Sequence, residues 1–468
     1  MRVLALALAA TLGVRGGAQG AAGGEADLGR RFLLEARSQL PLIEDPAVTE
    51  YVDHVGRRLV TVLGPQQFEY RFFVVQSPEL NAFAVPGGYV FVFSGLLARA
   101  KNDDELAGVL AHEIGHVSGH HLVRQQNEGQ VWNYAALLGV LLSAVHPVLG
   151  AGAVAAAQTA QLKYSREFEQ EADYLGLRYA TQAGYDPHAL GSFFKTLLAE
   201  QRVNPAGVPA YMLTHPLTEE RVAHVETTIS AENLRTPKGR PAAGAELAEV
   251  QAVARAVAEP GEVVVGQYRQ EADQHPNDAE RQFLLGRVYQ TTGQLEGART
   301  AFERCRDLGG LDGRVDRPLG AVYGALKQPD KAREALGRHL ARHPDDGWAH
   351  LEMGKAMVES GDQAGAMTEF QRALTLSPDL DEAHRLIGVA LGRKGDEGEG
   401  FYHLGMASEL RGELEQALSQ FEHAETLLPE GSTRHAEVEL ALEELRPLVR
   451  ERERERLERR RAGRRSFP

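Results

Sequence analysis

The chain has 468 residues, of which 43% are hydrophobic and 25% charged, with a formal net charge of −14. That length predicts about three domains, and the ordinary apolar fraction allows each a sizeable core. The acidic balance is spread along the chain, which argues against nucleic acid as the main partner, and the single Cys305 excludes an internal disulfide.

Residues 1–24 read as a secretory signal, with Arg2, the apolar run Val3 to Val14 and small residues around Ala18-Gln19-Gly20. The run is too short for a permanent membrane anchor, so the expectation is export. Residues 25–235 then read as one mostly helical α+β domain. Phe32, Leu33, Val48, Val52, Val55 and Leu59 fall at helical spacing. The period then changes: Tyr70 to Val75, Asn81 to Val85 and Tyr89 to Phe93 predict a small sheet, with Pro86-Gly87-Gly88 as a turn. An edge strand of such a sheet can pair with an extended peptide through main-chain bonds.

Within the apolar run Leu106 to Val117 stands His112-Glu113-Ile114-Gly115-His116. On a helix the two histidines lie one turn apart and reach a single zinc ion, while Glu113 points into the same cleft as general base for an activated water. A further histidine on the same stretch is ruled out as third ligand because Leu122 occupies its position. Downstream, Glu167, Glu169 and Glu171 alternate, so at most one side of the set faces the metal. Asp173, four residues after Glu169, is placed to accept the N–H of a ligating histidine, and that spacing selects Glu169. His120 and His121 are not expected to be ligands, and Tyr211 is expected to serve packing. His215 and Arg221 lie close together after the third-ligand helix and are candidates for stabilising an oxyanion.

Residues 131–158 hold two short apolar runs hinged at Pro147, a lid or a segment that contacts a membrane surface. Residues 236–264 read as a linker around Pro237-Lys238-Gly239-Arg240-Pro241. Beyond it Gly286, Gly320, Gly354 and Gly388 recur every 34 residues. Ala298, Ala332 and Ala366 and then Phe302, Leu336 and Phe370 recur with them, which is the period of a helical repeat over residues 265–430. Gly405 comes only 17 residues after Gly388, so half a repeat is dropped or merged there. Residues 431–468 read as a charged, solvated helix or tail.

The HExxH motif, the later Glu169 to Asp173 pair and the His215-Pro216 segment followed by Arg221 resemble the M48 family of zinc metallopeptidases. The resemblance covers about residues 25–230. It implies a zincin-type domain with one zinc ion held by His112, His116 and Glu169, and with Glu113, Asp173, His215 and Arg221 in catalytic support. It leaves open whether His215 serves the transition state or occupies the fourth zinc position in a latent enzyme. The following array resembles tetratricopeptide-repeat (TPR) proteins, an all-α solenoid. Together with the export signal, the whole resembles periplasmic M48 peptidases of Gram-negative bacteria. That resemblance implies unfolded or stalled protein substrates, outer-membrane barrel proteins among them, and contact of the repeats with clients or with the outer-membrane assembly machinery. The alternative is a chaperone or scaffold in which proteolysis is rare.

Overall fold

The computed structural model describes residues 21–127, 165–203, 210–236, 244–309 and 311–465. Residues 1–20 of the expected export signal and the apolar stretch 131–158 lie outside the described residues. The chain divides into two units, Met1–Leu33 with Leu40–Gln267 and Leu34–Gln39 with Tyr268–Pro468. No helix among the described residues is long and apolar enough to cross a membrane.

The first unit is α+β. Helices α1 (Ala21–Gln39) and α2 (Pro46–Val60) open it. The start of α2 is set locally: Pro46 fixes the first helical φ, and Asp45 accepts the Ala47 N–H at 3.1 Å. Strands β1 (Arg71–Val75), β2 (Ala82–Val85) and β3 (Tyr89–Phe93) form one sheet in the order β1-β3-β2, with β1 parallel and β2 antiparallel to β3. Gly87 and Gly88 turn the β2–β3 hairpin at φ of +84° and +85°, a backbone that side chains resist. The register sets Phe83 opposite Phe91, and their rings stack at 4.8 Å. In that order β1 and β2 are the two outer strands, so β2 is an edge of the sheet.

After α3 (Ser94–Arg99), the central helix α4 (Asp103–Ser118) starts where Asn102 accepts the Glu105 N–H at 3.0 Å. Asp103, Asp104 and Glu105 favour the positive end of its dipole. Every residue from Leu106 to Val117 is buried, so this helix is wrapped on all sides. The remaining helices of the unit are α5 (His121–Asn127), α6 (Arg166–Gln182), α7 (His188–Val203), α8 (Ala210–Thr214), α9 (Glu219–Ala231) and α10 (Gly244–Ala258). Helices α4 and α6 touch backbone to backbone. A Cβ on Gly115 would stand 2.8 Å from the Ala172 carbonyl oxygen, and one on Gly176 would stand 2.9 Å from the His112 nitrogen.

Where a linker over residues 236–264 is expected, α10 instead belongs to the first unit. Its Leu247, Val250, Val253 and Ala254 are buried in the same core cluster as Leu106 and Leu110. The stretch is loose in composition, but these apolar positions are three to four residues apart and make a buried helical stripe.

Helix α11 (Gly261–Gln274) carries the unit boundary. The second unit is all-helical: α12 (Ala279–Thr291), α13 (Leu295–Leu308), α14 (Asp316–Ala325), α15 (Pro329–Leu340), α16 (Gly347–Glu359), α17 (Gln363–Leu376), α18 (Asp381–Arg393), α19 (Glu397–Leu410), α20 (Leu414–Leu427) and α21 (Thr433–Arg465). The recurring glycines make room for the recurring large residues. A Cβ on Gly286, Gly320 or Gly354 would lie 2.4, 2.6 or 2.5 Å from Phe302, Leu336 or Phe370.

The shortened spacing at Gly405 has a physical form. Gly405 packs on Phe421 of α20 as the first helix of a pair, while Gly400 on the same α19 meets Gly388 of α18, where a Cβ would be 2.8 Å from the Gly400 oxygen. One helix thus serves two pairs, and half a repeat is saved. The expected solvated tail is in part a capping helix, because Val438, Leu442, Leu445 and Val449 of α21 are buried in one cluster with Phe421.

Asp346 ties two repeats together. Its carboxylate caps α16 by accepting the Ala349 N–H at 2.9 Å, and it binds His339 at 2.7 Å and Arg317 at 3.0 Å. Burial pushes this carboxyl up, but His339, Arg317 and the Ala349 amide outweigh it and hold it well below the usual carboxylate range. Asp346→Ala is expected to lower the unfolding free energy by about 2–3 kcal/mol at pH 7, the sum of a lost cap and lost charged hydrogen bonds. A depressed folded value stabilises above the unfolded value of about 4, and the gain is lost as the pH falls further. Urea titrations of wild type and variant should therefore differ at pH 7, and the gap should begin to narrow as the pH falls below about 4.

Candidate metal centre

Four buried side chains converge in the first unit: His112 and His116 from α4, Glu169 from α6, and His215 from the turn between α8 and α9. Their ligand atoms all lie within 4.8 Å of one another. Ser165 starts α6 by accepting the Phe168 N–H at 3.2 Å, which sets Glu169 in the first turn facing α4. Thr218 caps α9 in the same way through the Arg221 N–H. The short α8 ends at His215, whose ring stacks on Tyr211 at 4.5 Å.

The spacing within the group fits a metal ion. Tetrahedral ligands at about 2.0–2.1 Å from zinc stand about 3.3 Å from one another. Here His112 Nε2 is 3.0 Å from His116 Nε2 and 3.5 Å from His215 Nδ1. Glu169 lies 3.7 Å from His112, 3.6 Å from His116 and 2.9 Å from His215. Three imidazole nitrogens and one carboxylate oxygen are also a donor set that zinc prefers. Burial, reinforced by His112 and His215, holds His116 well below the usual imidazole range, so it stays in the neutral form a metal requires.

Around these four stands a ring of partners. Asp173 Oδ1 is 2.9 Å from His112 Nδ1, and Arg221 donates to both Asp173 oxygens at 2.7 and 2.8 Å. Burial alone would raise the Asp173 carboxyl, yet Arg221 and His112 keep it well below the usual range. Arg221 also pairs with Glu169, donates to the Pro216 carbonyl at 3.2 Å and lies over the Phe194 ring at 4.7 Å. Two buried carboxylates, Asp173 and Glu169, thus hold the Arg221 guanidinium, and Nη2 also lies 3.4 Å from His112 Nε2.

Glu113 is buried beside the group, with Oε1 3.5 Å from His215 Nε2, and it accepts a hydrogen bond from the Ala84 backbone of edge strand β2. Burial pushes its carboxyl above the usual range, and His215 and His112 pull it back only in part. That is the direction a general base working near neutral pH requires.

The other candidates sit apart. Glu167 is exposed, and Glu171 turns outward to Arg124 at 2.8 Å. His120, at φ +51°, pairs with Glu25 at 3.0 Å. His121 is outside the four-donor group, but its Nδ1 lies 3.0 Å from His116 Nδ1, and burial brings its imidazole down to about 4. Sequence reasoning set His121 aside as a ligand and assigned it no other task. The glycines Gly115 and Gly176, which let the two ligand helices touch, were likewise legible only as small residues.

Residues 46–229 match the model of peptidase family M48, residues 279–308 that of a tetratricopeptide repeat, and residues 354–395 that of a TPR repeat. The first of these matches spans all four of the converging side chains. The chain is 34% identical over 220 residues to a β-barrel assembly-enhancing protease of Escherichia coli (strain K12), 45% of each chain. It is 35% identical over 207 residues to a protein of the same name from Yersinia pestis, 42% of each chain. It is 34% identical over 188 residues to the mitochondrial metalloendopeptidase OMA1 of Schizosaccharomyces pombe, 38% of this chain and 52% of that one. The chain thus spans about half the length of the relatives it matches.

Proposed function

We propose that the chain is a zinc-dependent endopeptidase of cell-envelope protein quality control, with the TPR array recruiting clients. The observation that carries this reading is the convergence of His112, His116, Glu169 and His215, with ligand atoms within 4.8 Å of one another, beside Glu113, whose carboxyl is pushed up by burial. Zinc, when bound there, activates a water and polarises the scissile carbonyl. Glu113 takes the proton and passes it to the leaving amine. Edge strand β2 binds an extended peptide by main-chain pairing, with little regard for its sequence. Asp173 fixes the tautomer of His112, and Arg221 holds Asp173 in place. The names of the relatives support outer-membrane barrel proteins as clients, and the export signal expected from the sequence supports the periplasm.

His215 favours a latent resting state. Catalytic zinc sites keep one position open, whereas its Nδ1 stands in the fourth corner. His215→Ala is expected to retain zinc and to cleave an unfolded protein several-fold faster. A fall in rate with zinc retained would assign His215 to the transition state instead. Stripping the wild type with a chelator should abolish cleavage, and adding zinc back should restore it. Cleavage that survives metal removal would overturn the reading.

A further inference from the structure

The two histidines of α4 differ in what stands behind them. His112 has the carboxylate of Asp173 on its Nδ1, whereas the Nδ1 of His116 meets another imidazole, that of His121, at 3.0 Å. We propose that His121 is a positioning residue for the metal centre, accepting the Nδ1–H of His116 and, anchored by Glu171, holding His116 in the tautomer that turns Nε2 toward the metal. The inference rests on the zinc reading above and adds a residue to it.

The protonation pattern follows from the distances. His116 Nε2 faces His112 Nε2 at 3.0 Å and Glu169 at 3.6 Å, so Nε2 is its ligand atom. A neutral imidazole that binds through Nε2 carries its proton on Nδ1 and needs an acceptor there. Two Nδ1 atoms at 3.0 Å share one proton, so His121 accepts through Nδ1 and bears its own proton on Nε2. That nitrogen lies 3.3 Å from Glu171 Oε2, which Arg124 also binds at 2.8 Å. The hydrogen bond therefore runs from His116 to His121, and Glu171 faces the far nitrogen of that ring across 3.3 Å as a charge contact and not a hydrogen bond.

The surroundings hold the ring still. His121 is fully buried, and its imidazole stacks on Phe168 at 4.8 Å with 17° between the planes. Arg124 lies over the same phenyl ring at 4.7 Å. Phe168 directly precedes Glu169, so the platform under His121 moves with the third ligand. The turn between α4 and α5 is shaped for this ring: a Cβ on Gly119 would stand 2.4 Å from His121 Nε2, and His120 takes φ +51°. The role also explains why Glu171, two residues from Glu169, faces away from the metal group. It serves His116 through His121 from the opposite side of the helix.

The test is zinc affinity of the full chain, read by competition with a chromogenic chelator, beside the melting temperature of each metal-free protein. His121→Leu, which keeps volume and loses the acceptor, should weaken zinc binding by about 10–100-fold. His121→Asn places its Oδ1 near the lost Nδ1 and should recover most of that affinity, although it packs less well than leucine. Should leucine bind zinc as tightly as wild type, or asparagine no better than leucine, His121 serves packing alone and the proposal falls. Wild type provides a second reading that needs no variant. Loaded with cobalt(II), it should show three exchangeable, paramagnetically shifted imidazole N–H signals protected from solvent, one for each histidine of the group, and only two such signals would overturn the assignment. Failure of the wild type to bind zinc would instead sink the metal reading beneath it.

Discussion

Replacing Glu113 by glutamine should lower cleavage of an unfolded protein by about a hundred- to ten-thousandfold, the range for loss of a general base, and leave zinc content unchanged. Glutamine keeps the shape of the side chain and an oxygen for the Ala84 amide, but it cannot take a proton. Glu113 is not among the four converging donors, so the metal should stay. The comparison to make is kcat/KM together with metal content of the same preparations. Retained activity would place the base elsewhere, and joint loss of zinc and activity would make Glu113 structural. The same variant separates protease from scaffold in cells. If assembly of barrel proteins proceeds normally with Glu113→Gln, the repeats act without proteolysis.

Glu169→Ala should weaken zinc binding by more than about a hundredfold, beyond the usual cost of losing an outer partner, while Glu171→Ala should cost less than about tenfold. The two carboxylates are two residues apart, and the structure sends them opposite ways. Glu169 is buried against His112, His116 and His215, while Glu171 is half-exposed and faces Arg124 and His121. Removing Glu169 also strips Arg221 of one of its two buried carboxylates, so the metal-free variant should melt lower than metal-free wild type. Equilibrium dialysis against buffered zinc gives both affinities. If the Glu171 variant lost the metal and the Glu169 variant kept it, the ligand assignment would be reversed.

Much of this architecture was legible because it is written in short-range spacing. The four-residue step from His112 to His116, the step from Glu169 to Asp173, the aromatic strands around Pro86-Gly87-Gly88 and the 34-residue glycine period are all local patterns with one physical solution. What escaped depends on contacts far apart in the chain. Helix α10 reads as a linker until its stripe is seen against the core of α4. Arg221 reads as a free cation near a histidine, but Asp173 and Glu169 close around it. His121 becomes a partner of His116 only because the chain bends at Gly119 and His120, and no helical spacing announces that bend. The shared helix α19 was visible as a miscount of 17 residues, though not as the packing of Gly400 and Gly405 on two neighbours.

The central claim is that His112, His116, Glu169 and His215 hold a zinc ion. X-ray absorption at the zinc edge, on the full chain purified without chelators, tests it most directly. The account predicts about one zinc per chain with only nitrogen and oxygen neighbours at about 2.0–2.1 Å and the scattering signature of three imidazoles. A protein without zinc, or zinc bound by fewer than three imidazoles, would contradict it.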